Sequence, residues 1–200
     1  MPRRIDLDQR REQLAEAVWS TIRSEGIGAV SVRTVAAAAG VAVGSLRHVF
    51  PTRSDLLQFS AELMVTRATE RIASTHFTGD RPEVALALLR HVLPLEPEAR
   101  AELEVNIALI AEAPALPELR PIRDRAYRQV LALCEYVVTM LAPDLAAERA
   151  SLEAKRLCAL VDGVAAHLLA DRPENDAAWA LQVMREEIKR IEALTVERPA

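Results

Sequence analysis

Two short helices around a single glycine are the feature that most constrains this chain of 200 residues. The pattern predicts one helix from Ser31 to Ala39, a left-handed turn at Gly40 and a second helix from Ala42 to Phe50. Ser31 stands where an N-cap side chain would accept a backbone N–H. Such a pair is typical of the helix-turn-helix, whose second helix lies in the major groove of DNA. The segment therefore predicts recognition of a double-stranded DNA operator.

The distribution of charge favours the same prediction, although the whole chain has a formal charge of −4. Residues 1–54 hold eight arginines against five acids, a net charge of +3, and the remainder is net −7. A local basic surface attracts phosphates, while an acidic remainder limits unselective binding. Arg3 and Arg4 are expected either to form an arm that reaches the minor groove or to belong to a disordered tail.

The rest of the chain predicts an all-α fold of about nine helices. Half of the residues are hydrophobic, they recur at helical spacing, and prolines mark most helix ends. We expect a three-helix helix-turn-helix domain over 1–53, which we call the head, and a helical bundle for ligand sensing and dimerisation over 54–200. No apolar run approaches the ~18 residues of a membrane span. With no signal peptide visible, we expect a cytoplasmic protein without a membrane partner.

The last two predicted helices carry apolar residues in steps of three and four. Such seams are typical of helices in bundles. One interpretation is a homodimer through these helices, and the other is that both seams face the chain's own core. Gly163 lies within the first of them, where a close helix approach would compensate its cost in stability. The predicted dimer residues are Leu157, Val161, Val164, Leu168, Leu181, Met184 and Ile188.

A set of short motifs between residues 14 and 57 resembles the head of the TetR family of bacterial transcriptional regulators. These motifs are Ser31-Val32-Arg33, Val35-Ala36, Ala39-Gly40-Val41, Gly44-Ser45-Leu46, Phe50, and Arg53 followed by Leu56-Leu57. Residues 157–171 are also similar to the penultimate helix of many members. The resemblance implies a homodimeric repressor. A small molecule would enter between helices 4 and 7, and the two heads would then no longer fit a pseudo-palindromic operator.

Departures from the family pattern fall on the second helix of the motif. The family commonly has tyrosine where Arg47 stands, an aromatic residue where Val49 stands and a serine cap where Ala42 stands. Arg47 could hold a phosphate through a charge-assisted bond or reach a guanine edge. Leu46, Val49 and Phe50 are expected to point into the core. Ser31, Arg33, Thr34 and Arg53 are expected to hold phosphates at helix N-termini. The predicted DNA-binding residues are Ser31, Arg33, Thr34, Val43, Gly44, Ser45, Arg47, His48 and Arg53.

The predicted effector pocket rests on a polar residue within an apolar stripe. Asn106 falls inside the stripe formed by Leu103, Ile107 and Ile110, and a buried amide needs hydrogen-bond partners. It could bond a neighbouring helix or line a ligand cavity. Core packing is the alternative for the whole set, and Cys134 and Cys158 are expected to be buried thiols. The predicted pocket residues are Asn106, Ile110, Tyr127 and Cys134.

Catalytic and cofactor motifs are missing from the sequence. The histidines His48, His76, His91 and His167 lie in separate elements without metal-ligand spacing, and no phosphate-binding loop is present. We therefore expect no enzyme, no cofactor and no metal. Two alternatives remain open: an activator or architectural DNA binder without an effector, and a helical small-molecule carrier or enzyme with a vestigial head. The sequence names neither the effector nor the operator.

Overall fold

The computed structural model describes residues 7–74, 78–170 and 176–194, and within them the chain forms nine helices and no strand. The all-α fold predicted from the sequence is confirmed. Arg3, Arg4 and His76 lie outside the described residues. The helices are α1 Leu7–Glu25, α2 Val32–Ala38, α3 Val43–Val49, α4 Arg53–Ser74, α5 Arg81–Arg90, α6 Pro97–Glu112, α7 Arg120–Leu141, α8 Ala147–Ala170 and α9 Ala178–Ala193.

Polar caps begin several of these helices. α2 begins with a capping box, in which Ser31 and Thr34 exchange side chain to backbone hydrogen bonds. α4 begins in the same way, because Thr52 Oγ1 accepts from the Asp55 N–H at 3.1 Å and Asp55 Oδ2 accepts from the Thr52 N–H at 2.9 Å. These contacts satisfy N–H groups that have no partner within a first helical turn. The cap predicted at Ser31 is therefore confirmed.

Replacing Ser31 by alanine is expected to lower the free energy of unfolding by about 1 kcal/mol, since the cap bond is lost from a short helix. Urea unfolding followed by circular dichroism measures the change. Ser24→Ala is the matched control, because the exposed Ser24 hydroxyl donates only to the carbonyl oxygen of Ser20 inside α1. Its expected effect is below about 0.5 kcal/mol. Equal effects of the two substitutions would contradict a capping role for Ser31.

The chain packs as two compact units, each with its own core. The first comprises the described residues up to Ala68 together with Ala101–Arg125. In it, Leu14, Val18 and Ile22 form the buried stripe of α1. The packing therefore groups α6 from Ala101 onward with the head, while the functional boundary at residue 53 stays a prediction.

The second unit comprises Thr69–Arg100 and the described residues from Ala126 onward. Its core holds the seams of α8 and α9, which the sequence analysis offered as a dimer interface. A seam with three- and four-residue steps forms as readily between two helices of one chain as between two chains. Leu181 is half-buried, and the other six side chains are at most 5% exposed in the single chain: Leu157, Val161, Val164, Leu168, Met184 and Ile188. Burial within the single chain supports the alternative, a seam facing the chain's own core, and the part of these residues in a dimer interface stays a prediction.

Buried carboxylates join α8 to α9 in the same unit. Glu153 is 2% exposed and accepts a hydrogen bond from Arg190, and Arg149 approaches its other oxygen at 2.7 Å. Glu187 accepts from Arg190 at 2.6 and 2.9 Å. Burial alone would raise the pKa of Glu153, but the hydrogen bond and charge of Arg190, together with the charges of Arg149 and Arg156, outweigh it and hold that pKa below its usual value. Arg190 thus donates hydrogen bonds to two buried acids at once.

The length and apolarity of the described helices also bear on membrane insertion. None of them combines the length and the hydropathy that crossing a bilayer requires.

Candidate nucleic-acid interface

The turn between α2 and α3 is built around Gly40. Its φ of 65° is in the left-handed region, which glycine adopts without a steric cost. The Val41 N–H donates to the carbonyl oxygen of Ala36 at 2.9 Å, and the Gly40 N–H donates to that of Ala37 at 3.2 Å. This pair of bonds is the Schellman motif that commonly ends a helix. The predicted helix-turn-helix is therefore present, and its turn sets the direction of α3.

Ser31 and Thr34, predicted phosphate contacts at the start of α2, are half-buried and bonded within the chain. The Ser31 oxygen accepts from the Thr34 N–H at 3.1 Å, and the Thr34 hydroxyl donates to the carbonyl oxygen of Ala29 at 2.8 Å. Arg33 lies between them with an exposed side chain. The structure gives the two hydroxyls a capping role, and contact of all three residues with DNA stays a prediction.

α3 is attached to the head through one side only. Within it Leu46 alone is buried, and Phe50, directly after the helix, is buried with its ring 4.8 Å from that of Phe59. The remaining surface of the helix is available to contact a groove of DNA. The sequence-predicted DNA-facing residues of this helix are all exposed: Val43, Gly44, Ser45, Arg47 and His48.

Val49 departs from the prediction. The sequence predicts a core position for it, but its side chain is 56% exposed. Leu46 and Phe50, one helical turn apart, already fill the contact of α3 with the head, which leaves Val49 outside. An exposed valine on this helix can contact the methyl group of thymine. Sequence reasoning missed this residue because a valine between two core residues carries no mark of exposure.

Arg53, another predicted phosphate contact, is held by the protein itself. Its Nε donates to the carbonyl oxygen of Val30 at 3.1 Å, and its Nη2 donates to that of Ile27 at 2.9 Å. Nη1 and Nη2 both lie 3.2 Å from Glu112 Oε1 at the end of α6. All three nitrogens therefore have acceptors inside the chain, which gives Arg53 an anchoring role, and its contact with a phosphate stays a prediction.

Further contacts join the segment 101–125 to the head. Ser54 donates a hydrogen bond to Glu118, which lies in the turn between α6 and α7. We call the contacts of Arg53 with Glu112 and of Ser54 with Glu118 the clasp. Arg23 of α1 also pairs with Glu104 of α6 at 3.6 Å. The head is thus joined to both the end of α6 and the turn that follows it.

A small cleft between α4 and this segment contains two of the four predicted pocket residues, Asn106 and Ile110. Its volume of about 10 Å³ is close to that of a single water molecule. Most of its lining is apolar, and Asn106 and Arg123 supply the polar groups. The lining residues are Ala61, Met64, Val65, Asn106, Leu109, Ile110, Leu119, Ile122 and Arg123.

The buried face of α6 differs from the predicted stripe. Val105 and Leu109, four residues apart, are buried, as is Ala113 after the helix. Ile107 and Ile110 are 45% and 41% exposed. A helix containing this many apolar residues offers more than one stripe, and only packing against α4 selects between them. Asn106 is consequently half-buried at the edge of the cleft.

Tyr127 and Cys134, the other predicted pocket residues, are not among those that line this cleft. Tyr127 is 53% exposed, and Cys134 is fully buried on α7. Burial, together with the neighbouring Cys158 thiol, raises the pKa of Cys134 to about 12. Both cysteines are buried free thiols, as predicted. A thiol in this state is a poor nucleophile and behaves as a small apolar side chain.

Comparison with known proteins identifies the class of this arrangement. Residues 14–58 match the family described as bacterial regulatory proteins, tetR family, and residues 82–192 match the C-terminal domain of the BetI-type transcriptional repressor. The HTH-type transcriptional regulator PksA of Bacillus subtilis (strain 168) is 33% identical over 195 residues, which cover 96% of this chain and 90% of the relative. This chain belongs to the TetR family.

Solved structures of other regulators show the same fold. A transcriptional regulator from Rhodococcus sp. Rha1 has a TM-score of 0.81 at 24% identity, covering 94% of this chain and 99% of its own. A putative regulator from Saccharomonospora viridis, solved in complex with choline, has a TM-score of 0.70 at 22% identity, covering 92% and 95%. The chain is thus a TetR-family transcriptional regulator with an N-terminal helix-turn-helix and a ligand-binding C-terminal domain.

Proposed function

We propose that this TetR-family protein is a homodimeric repressor that leaves a pseudo-palindromic operator when a small molecule binds. The observation that carries the DNA-binding part is α3, which buries only Leu46 and exposes a basic surface around Arg47 and His48. Two such helices related by a two-fold axis would enter successive major grooves about 34–36 Å apart, or somewhat more. The predicted operator therefore has two inverted half-sites.

The cleft is the proposed entry point for the effector. Ligand pockets of proteins typically hold about 300–1,000 Å³, so a cleft of about 10 Å³ must widen before it admits a ligand. Its aliphatic walls favour an apolar or amphipathic molecule. Because a ligand stabilises only the state in which the cleft is open, its binding energy works against whatever holds the cleft shut.

The clasp supplies such a restraint. Glu112 lies just after Leu109 and Ile110 on the α6 wall of the cleft, and Glu118 directly precedes Leu119 on the opposite wall. Glu112 bonds Arg53, and Glu118 bonds Ser54. A ligand that pushes these walls apart would draw at least one acid away from the head. We infer that effector binding is transmitted to α3 by release of the clasp.

Replacing Glu112 by glutamine is expected to weaken operator binding in the absence of any small molecule. The carboxamide keeps the side chain's shape but removes the charge that pairs with Arg53, so the clasp is weakened as the effector would weaken it. Allosteric coupling typically amounts to about 5–150-fold in affinity, and the loss should fall within that range. Fluorescence anisotropy with a labelled operator duplex measures it.

Asp124→Asn is the matched control for this substitution. It removes one negative charge from the same segment, but among the residues that the structure describes Asp124 pairs only with its neighbour Arg123, at 2.6 Å in an exposed contact. Operator affinity should therefore stay within about twofold of wild type, because exposed pairs of this kind contribute little. If both Glu112→Gln and Asp124→Asn bound the operator with wild-type affinity, the clasp would be excluded as the route of coupling.

A second candidate is a helix-turn-helix DNA binder that responds to no effector. One observation favours it: the cleft is nearly filled by its own side chains, with about 10 Å³ left. Adding small amphipathic molecules to the protein–operator complex discriminates the two functions. If at least one compound releases the operator from the wild-type protein but not from Ile110→Trp, in which the cleft is filled, the effector-responsive repressor is supported.

The regulatory function itself is tested by capture of genomic DNA. The purified protein is incubated with genomic fragments at a stated salt concentration, beginning with the region beside its own gene, because affinity for phosphates depends steeply on salt. A repressor of the proposed kind should enrich fragments that contain an inverted repeat. Arg47→Ala serves as the control protein and should recover fewer of them. No enrichment by the wild-type protein would reject the proposed function.

A further inference from the structure

The one buried side chain of α3 defines which side of the helix faces away from the protein. At 100° per residue, Gly44 and His48 each lie about 160° from Leu46 and are one turn apart. They form the outermost line of the helix, which we call the Gly44–His48 ridge. Arg47 lies about 100° from Leu46 and therefore occupies a flank.

Gly44 has no explanation within the chain. A glycine inside a helix lowers its stability relative to alanine, and it is normally retained for a positive φ or a tight contact. Gly44 lies in α3 without a positive φ, and a Cβ added there would meet no heavy atom within 4 Å. Nothing in the folded protein therefore requires glycine here, and its place on the outward side of α3 points to a requirement outside the chain. α3 faces outward at this point, so the partner is the DNA.

We propose that Gly44 lets the backbone of α3 approach the floor of the major groove, and that His48 reads a base edge there while Arg47 binds a phosphate. This inference rests on the DNA binding assigned above and names the residue that determines operator specificity. The major groove is about 12 Å wide, and a helix with its side chains is about 10–12 Å across. A missing side chain on the ridge therefore decides how deeply the helix can sit.

The reach of the two side chains fits this division. The imidazole of His48 is short and needs close approach to a base, where an N–H can donate to the N7 or O6 acceptors of a purine. The guanidinium of Arg47 is long and starts from the flank of α3, which lies towards the wall of the groove. Charged side chains on a flank contact the phosphates that line the groove and set the register of the helix.

Gly44→Ala tests the depth of the helix. Anisotropy with an operator duplex recovered by the wild-type protein should show at least a tenfold loss of affinity, while the thermal unfolding temperature stays equal or rises. Gly28→Ala is the control, since a Cβ at this exposed head glycine also meets nothing within 4 Å. It should bind like wild type. Wild-type affinity for Gly44→Ala, or a lowered unfolding temperature in that variant, would overturn the inference.

The division of labour between His48 and Arg47 is tested on a panel of single base-pair substitutions in the same duplex. His48→Ala should lose about 5–150-fold on the preferred sequence and stop discriminating at one position in each half-site. Arg47→Ala should lose affinity evenly across the panel, with the salt slope reduced by about one. The opposite pattern, with base discrimination lost in Arg47→Ala and retained in His48→Ala, would overturn the assignment. Failure of the wild-type protein to recover any duplex would reject the regulatory function as well.

Discussion

Replacing Arg190 by methionine is expected to lower the free energy of unfolding by about 3 kcal/mol at neutral pH. The guanidinium is the shared partner of Glu153 and Glu187, which are 2% and 7% exposed. Without it, two buried carboxylates on α8 and α9 face each other with less compensation. Arg149 and Arg156 still approach them, at 2.7 and 3.5 Å, so the loss lies at the lower end of the range for breaking buried pairs.

The pH dependence of this substitution has a definite sign. In the wild-type protein the pKa of Glu153 is lowered, so its contribution to stability is present above an unfolded pKa of about 4.3 and is lost as the pH falls through the folded pKa. In Arg190→Met, burial dominates and raises the folded pKa above the unfolded one. The free-energy cost of burying the charged carboxylate is then fully present above the folded pKa and shrinks as the pH falls through that pKa. Urea unfolding at pH 7 and pH 5 should show the deficit decreasing.

Two further variants separate the loss of the contacts between Arg190 and the two buried acids from general effects on α9. Lys189→Met removes the neighbouring, exposed cation and should change the free energy of unfolding by less than about 0.5 kcal/mol. Adding Glu153→Gln to Arg190→Met removes one uncompensated charge and should recover part of the lost stability. If Arg190→Met were as stable as Lys189→Met, the interpretation of Arg190 as the shared partner of two buried acids would be wrong.

The head was predictable from sequence because its signals are local. A cap at Ser31, a glycine at position 40 and an i, i+4 pair at Leu46 and Phe50 each act within one or two turns, and the structure contains all three. Helix ends marked by proline were predictable for the same reason. Local patterns therefore predicted the element order and, except for Val49, the exposed face of α3.

Pairings between distant segments were not predictable in this way. Arg53 reads in sequence as a basic residue at a helix start, and only the fold brings it to Glu112, 59 residues away. The seam of α8 and α9 has the spacing of a dimer interface and of an internal core alike. Burial within one chain decides between these two, and a periodic pattern contains no information about burial.

Placing an arginine at position 163 is expected to convert the proposed dimer into a monomer and to lower operator affinity about 100-fold or more, since two linked heads bind far more tightly than one. Gly163 is an exposed residue of α8, and a Cβ added to it meets no heavy atom within 4 Å. The glycine thus costs helix stability without an intrachain benefit. Leu152, Ala159 and Ala166 share this exposed face, on which the exposed Arg156 also lies. We infer that a second copy of the chain packs here.

The single chain should tolerate the substitution well, because arginine favours helix over glycine and nothing in the fold obstructs it. Ala132→Arg places the same side chain on an exposed position of α7 and is the matched control. Sedimentation equilibrium should give twice the 22.0 kDa chain mass for wild type and for the control, and the single chain mass for Gly163→Arg. A Gly163→Arg protein that remains dimeric and binds operator like the control would move the dimer interface away from this face of α8.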